Sequence, residues 1–299
     1  MNGIQIGSRW IKSNLLFLLI AFLIYLCHSA CLHAAEKKKD VFNSLCLKLE
    51  RDGFDPEKLN HYYSHPKVVF ETTAVGRYFQ HRESSLNYDQ FLAPKSLRKA
   101  EKYMQKNSYW LDKAESRYQV DKEIITAILL VETRLGTFTG NASTLNILSS
   151  MAALSDPEVR GLLWQSLAGK TNMSLADFQK KAAVKSEWAY TELTAFLKYV
   201  DQEKITEPVN ISGSYAGAVG ISQFMPSNIL KLAVDGDNNG KVDLFTHADA
   251  IFSVASYLQH HGWKPGLSPE EARTVLFAYN HSNYYVDVLM KLFQALEKK

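Results

Sequence analysis

Apolar residues recur along most of this 299-residue chain at the three-to-four-residue spacing of helices that bury one face. No Asn-Gly or Asp-Gly pair joins two alternating runs, as it would in a β-hairpin. Proline and glycine fall between the periodic segments. The pattern therefore predicts an all-α fold, with helices at Val41–Glu50, Lys95–Tyr118, Lys122–Leu135, Leu145–Leu154, Leu175–Val200, Ser222–Val234, Ala248–His261, Pro269–Tyr279 and Asn283–Glu297.

The first 35 residues have the layout of an export signal, with Arg9 and Lys12 before an unbroken apolar run at Leu15–Leu26. As a helix that run rises only ~18 Å, short of the ~30 Å hydrocarbon core of a bilayer. We therefore predict a signal peptide over residues 1–35, cleavage near Ala35 and a periplasmic location. The alternative is a lipoprotein, anchored to the membrane by acylation of Cys31.

Composition and charge place the remaining chain among ordinary globular proteins. Apolar residues make up 46% and charged residues 22%, and the net charge is +3. Because the first 35 residues contribute two of those charges, no basic field suited to nucleic acid remains. We predict a monomer with a smaller N-terminal lobe at residues 36–92 and a catalytic domain at residues 93–299. Cys46 is the one cysteine well clear of the signal, which predicts a buried, inert thiol.

The helix predicted at Lys122–Leu135 is apolar on nearly all faces and should be central. Asp121 is a suitable N-cap and Gly136 a suitable stop. Glu132 then lies in the last turn, where the helix dipole and the apolar core should both raise its pKa. A carboxylic acid kept protonated near neutral pH can donate a proton to a glycosidic oxygen. The alternative is a structural carboxylate paired with a basic residue such as Arg134.

A loop rich in oxygen donors follows at residues 235–249. Asp235, Asp237 and Asn239 occupy the first, third and fifth positions of an EF-hand-like loop, and the seventh, Lys241, would offer its backbone carbonyl. The twelfth position is threonine rather than a bidentate glutamate, so a standard EF-hand is excluded, but Asp249 could close a longer loop. The hard oxygen donors predict a structural calcium ion, with a metal-free acidic turn as the alternative.

These motifs, taken in order, resemble the membrane-bound lytic murein transglycosylase B family. The resemblance runs from about residue 42 to 296 and rests on Val131-Glu132-Thr133, Gly213–Pro226, the acidic loop, His261-Gly262-Trp263 and Ala278–Ser282. It implies a goose-lysozyme-like helical fold that binds peptidoglycan glycan strands and uses Glu132 as acid and base. It also implies that the following residues contact substrate: Ser214, Gln223, Tyr257, Tyr279, Asn280 and Tyr285.

Two other functions remain open at this point. A hydrolytic muramidase would use water where a lytic transglycosylase uses the muramyl C6 hydroxyl. A non-catalytic peptidoglycan-binding protein would need no buried acid. Among the residues named by resemblance, Tyr257 and Tyr285 have helical spacing and would also fit a core. We further expect Gly213, Gly217 and Gly220 to leave room for a sugar ring; the alternative is tight packing of protein on protein.

Overall fold

The computed structural model describes residues 41–80 and 88–298 and confirms the all-α prediction. The signal peptide and Cys31 lie outside the described residues. The chain divides into two compact units after Ser64; the lobe predicted at residues 36–92 stays a prediction. The helices are α1 (41–51), α2 (Pro56–Ser64), α3 (Thr72–Gln80), α4 (Pro94–Lys106), α5 (Ser108–Tyr118), α6 (Lys122–Thr133), α7 (Thr144–Ala152), α8 (Pro157–Leu167), α9 (Leu175–Gln202), α10 (Pro226–Leu232), α11 (His247–His260), α12 (Pro269–Tyr279) and α13 (Asn283–Glu297).

The first unit contains α1 and α2. Phe42 and Tyr63 pack ring against ring, with centroids 5.4 Å apart, and Leu49 is fully buried. Cys46 is half-buried, and desolvation, followed by the charge of Glu50, raises the pKa of its thiol to about 12. The thiol is therefore almost wholly protonated at neutral pH, as an inert cysteine should be.

The central helix of the second unit is α6, and its residues from Ile124 to Val131 are buried on every side. The predicted cap and end need correction. Asp121 makes no side-chain cap; its Oδ2 accepts a 2.8 Å hydrogen bond from the Trp263 indole instead. The helix ends at Thr133 because Arg134 and Leu135 both take positive φ, ahead of the predicted stop at Gly136.

Two other predicted helices are interrupted. The segment Lys95–Tyr118 is two helices, α4 and α5, because the backbone leaves helical geometry at Asn107, whose Nδ2 donates to the Tyr103 carbonyl. The segment Ser222–Val234 is helical only in α10, since residues before Pro226 form a turn in which Val219 and Phe224 exchange backbone hydrogen bonds.

Helices α2, α3 and α8 were not predicted, although α8 has clear signals: Asp156 caps it and Pro157 occupies its first turn. A short antiparallel pair was also not predicted, between Ala142–Ser143 (β1) and Ser212–Gly213 (β2). Short 3-10 turns lie at Asp89–Phe91, Ala153–Ser155 and Pro208–Asn210. Within residues 41–80 and 88–298, no helix has the length and apolar character needed to cross a bilayer.

Helix packing brings distant parts of the chain to the end of α6. Helix α13 and helix α4 both pack on α6, and α11 packs on α5 and α6. The 28-residue α9 packs on α7 and α10.

A buried carboxylate, Glu192 of α9, holds the start of α10. It accepts hydrogen bonds of 2.9 and 2.8 Å from the backbone N–H and the hydroxyl of Ser227.

Candidate active site

Glu132 lies half-buried in the last turn of α6, where the central helix reaches the edge of the core. Its Oε1 accepts a 2.6 Å hydrogen bond from the Oη of Tyr285 in α13. An O–H···O contact this short to a carboxylate has the length of a charge-assisted hydrogen bond. The structural alternative, Arg134, donates to Gln90 Oε1 instead, at 3.2 Å. The tyrosine hydroxyl therefore holds one oxygen of the candidate acid in place.

Three of the predicted tyrosines form one stack behind Glu132. Tyr285 is 1% exposed and lies almost parallel to Tyr279, with centroids 6.4 Å apart. Tyr279 in turn packs edge-on against Tyr257, at 4.8 Å. Burial, and after it the negative charge of Glu132, raises the pKa of Tyr279 and Tyr285 well above the usual value. Both hydroxyls are therefore protonated donors at neutral pH.

Tyr279 and Tyr257 both donate hydrogen bonds to backbone carbonyls. Tyr279 Oη donates to the Ser222 carbonyl at 2.6 Å, and Tyr257 Oη donates to the Ala278 carbonyl at 2.7 Å. Burial raises the pKa of Tyr257 to about 12, and its side chain is 4% exposed. In this structure the buried Tyr257 ring packs against Tyr279. A direct contact between Tyr257 and the substrate stays a prediction.

The turn segment Gly213–Pro226 is joined to the end of α6 by a threonine. Thr133 Oγ1 donates to the Ile221 carbonyl at 2.9 Å, and the same oxygen accepts from the Gly136 N–H at 3.0 Å. Thr133 is buried and directly follows Glu132, so these hydrogen bonds hold the turn segment next to the end of α6 that carries Glu132. In the sequence, Thr133 stands out only as part of the motif Val131-Glu132-Thr133, and its position directly after Glu132 is the signal that points to it.

Within this segment, two predicted substrate contacts hold the local fold. Ser214 Oγ accepts from the backbone N–H groups of Ala216 and Ala218, at 3.2 and 3.1 Å. Gln223 has a φ of 50° and donates from Nε2 to the carbonyls of Gly220, at 2.8 Å, and Thr139, at 3.2 Å. The amide N–H groups of Gln223 are therefore engaged with backbone, while its Oε1 accepts no hydrogen bond from residues 41–80 or 88–298 and can accept one from a ligand.

The glycines of the segment pack against protein, so the expectation that they leave room for a sugar ring is wrong. A Cβ on Gly220 would lie 2.6 Å from the Leu244 carbonyl oxygen, and one on Gly217 would lie 2.7 Å from Leu148 Cδ2. A Cβ on Gly213 would collide with the Ala218 carbonyl and the Thr144 hydroxyl. Gly217 and Gly220 also have positive φ, which other residues rarely adopt.

Asn280 directly follows α12 and the anchored Tyr279. Its backbone is extended, and its carbonyl accepts a 2.7 Å hydrogen bond from the Ser282 N–H. The residue is half-buried, and no hydrogen bond joins its side-chain amide to the described part of the chain. That amide is therefore available to a ligand next to the tyrosine stack.

The acidic loop brings three carboxylates together. Asp235, Asp237 and Asp249 each offer an oxygen, and these oxygens lie within 4.8 Å of one another. Asp249 is fully buried, and its two oxygens accept from the N–H groups of Gly236 and Asp243, at 2.8 and 2.7 Å. This oxygen-only set fits a hard divalent cation such as calcium.

The remaining predicted ligands lie in the exposed part of the same loop. Asn239 Oδ1 accepts from the Lys241 N–H at 2.9 Å, and the Asn239 N–H donates to both Asp235 and Asp237. At the twelfth position, Thr246 accepts from the Asp249 N–H and caps α11. The Thr246 hydroxyl is thus used as a helix cap. The third carboxylate of the cluster comes instead from Asp249, three residues later.

Burial, hydrogen bonds and neighbouring charges shift the pKa values of two carboxyls in this loop. Desolvation, reinforced by the charges of Asp237 and Asp235, raises the pKa of Asp249. Desolvation acts in the same direction on Asp235, but hydrogen bonds from the N–H groups of Gly240 and Asn239 hold its pKa below the usual value. A cation at the centre would relieve the repulsion among all three carboxylates.

Comparison with known protein families matches residues 37–275 to the Transglycosylase SLT domain. That range includes Glu132, the turn segment and the acidic loop, and it covers most of the chain. The chain belongs to this family. Family membership was predicted from the motifs and is confirmed.

One relative of known function is the Membrane-bound lytic murein transglycosylase B of Escherichia coli (strain K12). It is 29% identical over 235 residues, which cover 73% of this chain and 56% of that protein. The chain thus spans little more than half the length of that relative.

Three solved structures share the fold. SltB1 of Pseudomonas aeruginosa, a soluble lytic transglycosylase, has a TM-score of 0.70 at 22% identity, covering 87% of this chain and 98% of its own. Slt35 of Escherichia coli, in complex with calcium, has a TM-score of 0.65 at 22% identity, and the match covers 87% of this chain and 92% of Slt35. SltB3 of Pseudomonas aeruginosa, in complex with NAG-anhNAM-pentapeptide, has a TM-score of 0.67 at 19% identity, and the match covers 88% of this chain and 79% of SltB3. The predicted lysozyme-like fold class is confirmed.

Proposed function

We propose that this protein is a peptidoglycan lytic transglycosylase that cleaves the β-1,4 bond between N-acetylmuramic acid and N-acetylglucosamine. The observation that carries the proposal is the carboxyl of Glu132, held by the buried Tyr285 hydroxyl at the end of the central helix. Membership in the transglycosylase family, and the lytic murein transglycosylase activity in the name of the relative, support the same reaction.

In the first step, Glu132 acts as general acid. It gives its proton to the bridging oxygen as the bond from muramyl C1 to that oxygen breaks, and N-acetylglucosamine leaves with a free O4 hydroxyl. Positive charge develops at muramyl C1, where the substrate's own 2-acetamido oxygen can stabilise it. This route needs one carboxylate rather than the usual pair of glycosidases.

In the second step, the ionised Glu132 acts as general base. It takes the proton from the muramyl C6 hydroxyl while the C6 oxygen bonds to C1, which closes a 1,6-anhydro ring and restores the acid. Tyr285 donates a hydrogen bond to the carboxylate in this state, when charge-assisted bonding is strongest. The glycan is thus cut without consuming water, so the enzyme is formally a lyase.

The substrate contacts belong to the same proposal. The free amide of Asn280 and the acceptor oxygen of Gln223 would bind acetamido and hydroxyl groups of the sugars. Ser214, Tyr257, Tyr279 and Tyr285 would shape the cleft around them. A pocket of apolar walls with a few fixed polar groups is the usual composition of a ligand site. SltB3, a structural neighbour, is known in complex with a peptidoglycan fragment.

The acidic loop would hold calcium through Asp235, Asp237, Asn239, the Lys241 carbonyl and Asp249. Slt35, another neighbour, is known with calcium. The ion would supply positive charge that ties the exposed loop to the buried Asp249 at the start of α11. Tyr199 of α9 also holds this loop, through a 2.9 Å hydrogen bond to the Val242 carbonyl. The ion would therefore add to contacts that fix the loop on the helices, which is a structural role.

The cellular location follows from the substrate. Peptidoglycan lies outside the cytoplasmic membrane, and the relative from Escherichia coli is membrane-bound by name. We therefore infer export to the periplasm by the signal at residues 1–35. Acylation at Cys31 would keep the enzyme on the membrane.

The test is a pair of carboxamide substitutions in one helix. Glu132→Gln keeps shape and hydrogen bonding but cannot transfer a proton, and we expect at least a ~100-fold loss of muropeptide release. Glu123→Gln makes the same change to a half-buried carboxylate at the other end of α6 and should retain activity. Near-normal release by Glu132→Gln, with both proteins folded by circular dichroism, would contradict the proposal and favour a binding protein.

A further inference from the structure

Helix α4 carries a dense, one-sided cluster of positive charge. Five of its thirteen residues are basic, all five are exposed and Glu101 is its one acid. The helix alone therefore has a net charge of +4, against +3 for the whole chain. Four of the basic residues recur every three or four positions and the fifth, Arg98, lies next to them, so together they form one stripe, ~17 Å long, along the helix. The stripe consists of Lys95, Arg98, Lys99, Lys102 and Lys106.

These cations are not used to hold the fold. Throughout the described part of the chain, none of the five forms an ion pair with a carboxylate. Two half-buried basic residues elsewhere in the described part of the chain do form ion pairs, Arg273 with Asp287 and Lys122 with Asp112. Five like charges on one exposed face repel one another, and this repulsion lowers the stability of the folded helix.

The stripe runs along the outer face of a helix that packs on the two helices of the candidate active site. The opposite side of α4 is buried through Ala100 and Tyr103, and the helix packs on α6 and α13. Those two helices carry Glu132 and Tyr285, the acid and the hydroxyl that holds it. A polymer drawn to the stripe would therefore be concentrated beside the catalytic helices.

We propose that the basic stripe attracts the carboxylates of the peptide stems on peptidoglycan strands and steers the strand toward Glu132. The inference rests on the proposed function. The stripe presents charge without an exposed aromatic ring for sugar stacking, which suits a diffuse polyanion rather than a defined sugar. Attraction between a surface of one sign of charge and an oppositely charged polymer raises the association rate, and this gain falls steeply as the ionic strength rises.

The test compares two charge-matched triple variants. The first is Lys95→Gln, Lys99→Gln, Lys102→Gln, which keeps helix propensity and removes three charges from the stripe. The control is Lys180→Gln, Lys264→Gln, Lys291→Gln, three exposed lysines outside α4. Each is assayed for kcat/KM on intact sacculi and on sacculi whose carboxylates have been converted to carboxamides, at low and at high salt.

We expect the stripe variant to lose about tenfold in kcat/KM on intact sacculi at low salt, and to match wild type at high salt or on amidated sacculi. The control should match wild type throughout. An equal loss on amidated sacculi, an equal loss in the control, or no loss at all would overturn the inference. Loss of binding to phosphatidylglycerol vesicles with sacculus turnover unchanged would assign the stripe to a membrane and would also overturn it. No product from wild type on either substrate would instead contradict the lytic function.

Discussion

The Tyr285 hydroxyl links α13 to the candidate acid Glu132 in α6. Tyr285 lies 153 positions from Glu132 in the chain, yet its Oη is 2.6 Å from Glu132 Oε1. Burial keeps this hydroxyl protonated, so it can donate in every state of the acid. A donor to the ionised form favours that form, which ties the protonation of Glu132 to the position of α13. Tyr285 is thus best described as a positioning residue with an electrostatic effect.

Tyr285→Phe tests this coupling at the scale of one atom. Because it removes a charge-assisted hydrogen bond worth ~1.5–3 kcal/mol, we expect a loss in kcat of about tenfold or more. The limb of the pH–rate profile that reports Glu132 should move to higher pH, since the ionised form has lost a donor. The measurement is the pH–rate profile beside a thermal melt. An unshifted profile would reduce Tyr285 to a packing residue.

Asn280→Ala separates ligand binding from packing. The side-chain amide makes no hydrogen bond to the described residues, so its removal should leave the melting temperature almost unchanged. Turnover of peptidoglycan should fall tenfold or more, equivalent to ~1.4 kcal/mol of transition-state stabilisation. A folded and fully active variant would remove Asn280 from the site.

At the scale of elements, short-range signals and long-range packing had different outcomes. The apolar pattern of α6 is local, and it correctly predicted a buried helix, although not its cap or its end. The acids at Asp235, Asp237 and Asp249 do lie together, while calcium binding stays a prediction. The break between α4 and α5 carries no glycine or proline; it depends on Asn107 binding back to Tyr103. The end of α6 likewise depends on two non-glycine residues at positive φ, Arg134 and Leu135. Such features depend on individual hydrogen bonds and backbone angles, which the spacing of apolar residues does not record.

The acidic loop yields the prediction at this scale. Calcium that binds the native state alone adds ~2.7 kcal/mol at a hundredfold excess over Kd. For a chain of this size, that shift should raise the melting temperature by about 5 °C or more relative to chelator. Asp237→Ala should abolish the difference, whereas Glu270→Ala, an exposed carboxylate elsewhere, should preserve it. Identical wild-type melts with calcium and with chelator would indicate a metal-free turn.

At the scale of the whole molecule, the fold and the family could be predicted because helical periodicity and ordered motifs survive in the sequence. The purpose of the glycines could not: Gly217 and Gly220 are spaced as if to admit a ligand, yet each presses on a leucine. Likewise, the family resemblance named Tyr257, Tyr279 and Tyr285 as substrate contacts, but their hydrogen bonds depend on how the helices pack. The chemistry thus rests on contacts that only the folded chain creates.

The mass of the released products tests the central claim most directly. Wild-type protein is incubated with purified sacculi, and the muropeptides are analysed by mass spectrometry. If the muramyl C6 hydroxyl attacks, the new ends carry 1,6-anhydro rings and are one water lighter than hydrolysed ends. We expect anhydro ends with wild type and none with Glu132→Gln. Reducing ends bearing an added water would show a hydrolytic muramidase and contradict the lytic mechanism.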